Sequence, residues 1–81
     1  MKEYYLTFRS LTAALSAAKQ LSSVGWNFTP KNTPEPLRRK GCGYCIYLRE
    51  EQYAQVHSML SRCNYERLYV HAAGIWKELS L

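Results

Sequence analysis

Six short stretches alternate between two hydrophobic rhythms, and that alternation restricts the folds open to this chain more than any other feature. In residues 3–8 Tyr4, Leu6 and Phe8 fall on one side and Tyr5 and Thr7 on the other. A period of two built from β-favouring residues predicts a strand. Leu11, Ala14, Leu15, Ala18 and Leu21 then recur at helical spacing, with Ser10 placed to cap the start and Gly25 to end the helix. Residues 26–30 return to a period of two, with Trp26 and Phe28 inward; Pro30, which has no N–H to donate, ends or edges that strand. Tyr44, Ile46 and Leu48 predict a third strand, with Cys45, Tyr47 and Arg49 on its opposite side. Glu50 and Glu51 suit the positive end of a second helix, whose apolar stripe is Tyr53, Val56, Leu60 and Cys63 and which Arg62 and Asn64 close. Residues 66–71 predict a last strand, and residues 72–81 a short tail in which Ile75 and Leu79 stand one helical turn apart.

The resulting order, β-α-β-β-α-β, is the split βαβ pattern of the α+β ferredoxin-like sandwich. A four-stranded antiparallel sheet carries two helices on one face and leaves the other open. Tyr5, Thr7, Cys45, Tyr47, Arg49, Arg67, Tyr69 and His71 are expected on that open face, with Asn27 and Thr29. Eighty-one residues make a single domain, 1–81, with its core over 3–71 and a tail over 72–81. No apolar run reaches the roughly 18 residues of a membrane span, and the opening MKEYYLTF lacks the apolar stretch of a signal peptide. Three cysteines, an odd number, argue for reduced thiols and a cytoplasmic location over a secreted disulfide framework. The net charge of +5 makes anionic partners plausible without naming one.

Function concentrates in residues 31–47, KNTPEPLRRKGCGYCIY, which hold two of the three cysteines and two of the three prolines. Residues 31–42 have no periodicity and read as a loop longer than compact domains usually contain. Cys42 stands between Gly41 and Gly43, which leave its sulfur sterically open and its backbone amides available to an anion. Arg38, Arg39 and Lys40 precede it, and nearby cations lower a cysteine pKa and favour the nucleophilic thiolate. Cys42 and Cys45 form a C-x-x-C that runs into a strand; in thiol-disulfide oxidoreductases the motif opens a helix, so a thioredoxin fold is not expected. A Cys42–Cys45 disulfide is open as a resting or resolving state. The same spacing supplies half of a zinc site, and no second C-x-x-C or H-x₃₋₅-H completes it. No metal or other cofactor is expected.

The element order, the proline-bearing loop and the Gly41-Cys42-Gly43 turn leading into a strand resemble the selenium/sulfur carrier-like proteins of prokaryotes, from about Tyr4 to His71. The resemblance implies that Cys42 carries a persulfide or selenopersulfide and passes it to a partner protein; Pro36 is a weaker match. Cys45 stays open as a second functional thiol. Donor and acceptor proteins are the implied partners, and a homodimer through the open sheet face is compatible with the fold. A carrier is favoured over a stand-alone enzyme, since the chain has no Asp and no Ser-His-acid or phosphate-cradling arrangement. The rival reading is single-stranded RNA binding, with Tyr5 and Tyr47 on the two central strands as a stacking platform beside Arg49, Arg67 and Tyr69.

Overall fold

The computed structural model describes residues 1–38 and 43–79. The chain folds into an α+β arrangement with one antiparallel sheet of five strands, where four are expected from the sequence. Strand β1 (Glu3–Phe8) leads into helix α1 (Leu11–Leu21) and a 3₁₀ turn; β2 (Lys31–Asn32) is followed by a helical turn, α2 (Glu35–Arg38). Then come β3 (Tyr44–Arg49), α3 (Glu50–Val56) continued as a 3₁₀ helix to Arg62, β4 (Arg67–Ala72) and β5 (Ile75–Leu79). The strand order is β2-β3-β1-β4-β5. None of the described helices is long and apolar enough to cross a membrane.

β1 lies at the centre, with Tyr5 opposite Tyr47 on one side and opposite Tyr69 on the other. Its even-numbered residues Tyr4, Leu6 and Phe8 join Ile46, Leu48 and Leu68 in a buried core beneath the helices. α1 contributes Ala14, Ala17, Ala18 and Leu21 to that core. Leu11 and Leu15, expected inward, are 44% and 52% exposed. The helix has turned its alanines to the sheet, because small side chains let the backbone approach more closely than leucines would. α3 buries Val56, and its 3₁₀ extension Leu60 and then Cys63. Ser10 caps α1 by accepting from the Ala13 N–H at 3.2 Å, and Gly25 ends the turn after it with φ +100°. Only glycine takes that conformation without strain.

Three sequence expectations need correction. Residues 26–30 are not a strand: Phe28 is buried and Trp26 packs against the core, but pairing with β3 begins only at Lys31. Pro30 stands immediately before the first paired residue, where a missing N–H stops a ladder. The expected loop after it is partly regular, since it holds β2 and α2 and buries Leu37. The expected tail is a strand. Ala73 and Gly74 take φ +53° and +76° and form a two-residue turn that folds β5 back on β4. Positive φ at both central positions is what a type I′ hairpin turn requires.

Candidate functional site

The stretch that carries the chemistry is tied down at both ends. The Thr33 N–H donates to the Gly43 carbonyl at 3.2 Å, one rung beyond the pairing of Asn32 with Tyr44. Residues 34–42 are therefore closed off at their base by main-chain pairing. Within this loop the Leu37 N–H donates to the Pro34 carbonyl at 2.9 Å, and Arg38 Nε donates to the Thr33 carbonyl at 2.9 Å. Arg38 thus braces the base of the loop. Gly43 is exposed and has open space where a side chain would begin. Arg39, Lys40, Gly41 and Cys42 lie outside the described residues.

Cys45 sits on the side of the sheet opposite the helices, as its place in the alternation predicts, yet it is only 1% exposed. Its thiol donates to the Asn32 carbonyl at 3.7 Å. Burial pushes its pKa up to about 11, against a smaller lowering by Lys31, so at neutral pH it is a protonated thiol. Cys63 is 3% exposed, 3.5 Å from the Met59 carbonyl, and its pKa is likewise raised by burial. Neither environment activates a thiolate.

The sheet face around Cys45 is less open than the alternation alone suggests. Thr7 and Tyr69, also on this face, are buried; Thr33 and Leu37 are buried as well, without belonging to the core under the helices. Pro34 joins Tyr5, Cys45 and Tyr47 around a shallow cavity of about 340 Å³, so the segment after β2 turns back over this end of the sheet. Beyond it runs a line of rings, with Tyr5 5.3 Å from Tyr47 and 5.1 Å from Trp76, and Trp76 stacked on His71 at 4.2 Å. Trp76 lies in the stretch that the sequence predicts as a tail, and it belongs to β5. A period of two over residues 75–79 is the signal for that strand, and the turn at Ala73 and Gly74 sets Trp76 opposite His71.

Several polar groups of this face already hold one another. Glu3 accepts from the Tyr47 hydroxyl at 3.2 Å and lies 3.2 Å from His71 Nδ1, and Arg67 forms a pair with Glu78 at 3.0 Å. Tyr47 is held in its protonated form by burial first and by the Glu3 carboxylate second. Among the described residues, no three His, Cys, Asp or Glu side chains gather where a metal ion could sit.

The sequence model of one family, described as "Putative Se/S carrier protein-like", matches residues 3–72. The chain belongs to that family. The match spans β1 to the end of β4 and therefore takes in the whole loop between Thr33 and Gly43, with the C-x-x-C, while β5 lies beyond it. Neither the curated proteins nor the solved structures yield a match.

Proposed function

We propose that this Se/S carrier-like protein holds sulfur or selenium as a persulfide or selenopersulfide on Cys42 and hands it to a partner protein. The observation that carries this reading is the state of the other two thiols. Cys45 and Cys63 are buried and their pKa values are raised. Cys42 is the cysteine whose sequence neighbours, Gly41 and Gly43 with Arg38, Arg39 and Lys40, favour an accessible thiolate. In loading, the Cys42 thiolate attacks the outer sulfur of a donor persulfide; a new S–S bond forms, the donor S–S bond breaks, and the donor leaves as its thiolate. Unloading is the same exchange onto an acceptor thiolate. The basic residues of the loop favour the anionic persulfide by charge. Cys45, buried and protonated, does not compete for the incoming sulfur.

Two finer readings go with this proposal. The order β2-β3-β1-β4 with α1 and α3 on one face supports a ferredoxin-like sandwich to which β5 adds a hairpin strand. Reduced thiols suit a cytoplasmic carrier.

Intact mass after incubation with a cysteine desulfurase and cysteine tests the proposal. One added sulfur atom is expected, removed by reductant and lost in Cys42→Ala but not in Cys45→Ala or Cys63→Ala. Loading that persists in Cys42→Ala would overturn it.

A further inference from the structure

The sheet opens where β2 ends toward the N-terminus, and the opening is lined as an anion site would be. The Thr33 N–H to Gly43 carbonyl bond fixes which rungs of the β2–β3 ladder are hydrogen-bonded, and Lys31 with Cys45 is the next such rung. The same register carried on would set Thr29 opposite Tyr47 and Asn27 opposite Arg49. Those rungs are not made, because pairing starts at Lys31, just after Pro30. The two segments part there around a cavity of about 310 Å³, bordered by Asn27, Thr29, Lys31, Tyr47, Arg49 and Gln52.

The donors of the unmade rungs face this gap. Along β3 the N–H groups of odd-numbered residues point toward β2. The Arg49 N–H donates to Gln52 Oε1 at 2.8 Å, and Gln52 itself borders the cavity. The Tyr47 N–H has no partner strand to meet. Lys31 and Arg49 bring two cations to the cavity, the Lys31 ammonium 5.9 Å from the Tyr47 ring, and no carboxylate is among the residues lining it. Glu51, just outside, pairs with Arg49 at 3.1 Å, and the Arg49 guanidinium lies 5.4 Å from the Trp26 ring.

We propose that this gap binds a tetrahedral oxyanion of the phosphate type, held by the Tyr47 N–H with Lys31 and Arg49. The site is built from residues of the sheet and the segment before β2, and it stands apart from the carrier reading. A main-chain donor with two cations is a good match for a small oxyanion, since charge-assisted bonds to it are stronger than neutral ones. Glu51 competes for Arg49, so the free protein keeps that guanidinium occupied until an anion arrives.

The experiment is an amide-resolved NMR titration with inorganic phosphate and, separately, with adenosine 5′-monophosphate, at low ionic strength and against a chloride control. A saturable shift of the Tyr47 amide is expected with phosphate and not with chloride. Lys31→Gln and Arg49→Gln should each weaken binding by about tenfold, the scale of one charge-assisted bond. Glu51→Gln should tighten it by freeing Arg49, which loss of fold could not mimic. Cys42→Ala should bind as the wild type does, whatever becomes of sulfur loading. Tighter binding of the nucleotide than of the free ion would identify the phosphate of a larger ligand, and equal binding would identify the ion. A Tyr47 amide that does not saturate, or an affinity unchanged in both cation variants, overturns the proposal.

Discussion

Lys31 and Cys45 face each other across the ladder between β2 and β3, and the Lys31 charge opposes the burial that keeps the Cys45 thiol protonated. Burial is the larger effect. A cation on the neighbouring strand moderates this cysteine without activating it.

Alkylation should show that balance directly. Iodoacetamide with peptide mass mapping across pH is expected to label Cys42 well before Cys45, whose labelling rate rises only toward pH 11. Lys31→Gln removes the opposing charge, so Cys45 labelling should move to still higher pH. A shift to lower pH would contradict the pairing.

The same thiol ties stability to alkaline pH. Its folded pKa of about 11 stands above the ordinary 9.0, so the folded state keeps a proton that the unfolded state releases. The contribution is fully present below pH 9 and is lost as pH rises through 11. Two pKa units correspond to at most about 2–3 kcal/mol. Urea denaturation between pH 8 and 11 should therefore fall more steeply for the wild type than for Cys45→Ala. Parallel slopes would remove Cys45 from the account.

Hydrogen exchange tests the opening in the sheet. The Cys45 amide, on a paired rung with Lys31, should be well protected, whereas the Tyr47 amide two residues on should exchange far faster. Equal protection would mean that the ladder continues past Pro30.

The sequence made some of this legible and hid the rest for definite reasons. Tyr4, Leu6 and Phe8 announced β1, and Gly25 announced the end of α1, because alternation and a positive φ leave strong local marks. Leu11 and Leu15 misled because a helix rotates to bring the best-fitting face to the sheet, and here the small face of Ala14, Ala17 and Ala18 fits. Ile75 and Leu79 misled because a spacing of four is both one helical turn and two strand periods. At the candidate site, the thiol positions could be read from the letters. The depth of Cys45 could not, since a period of two assigns a side chain to a face but says nothing of what packs over that face.

The α1 surface gives a contrasting pair of mutants. Leu15→Ser, at an exposed position, should change stability by no more than about 0.5 kcal/mol. Ala17→Leu, which forces a large side chain between helix and sheet, should cost about 1–3 kcal/mol. Thermal or urea unfolding decides, and a reversed order would misplace the helix face.

The β4–β5 turn holds a removable strain. Ala73 sits at φ +53°, where a residue with a Cβ is disfavoured and asparagine is better tolerated. Ala73→Asn should raise stability by about 0.5–1 kcal/mol, read as a higher urea midpoint. A lower midpoint would argue against the two-residue turn.

That hairpin also decides how another protein can approach. Residues 75–79 lie past the span shared with the family and occupy the margin that β4 would otherwise present to a foreign strand. The new margin carries exposed Lys77 and Glu78, charges that discourage strand addition. At the opposite margin β2 offers two residues next to a proline. The chain supplies its own flanking strand, so a protein approaching that side meets the charged β5 and not the bare margin of β4.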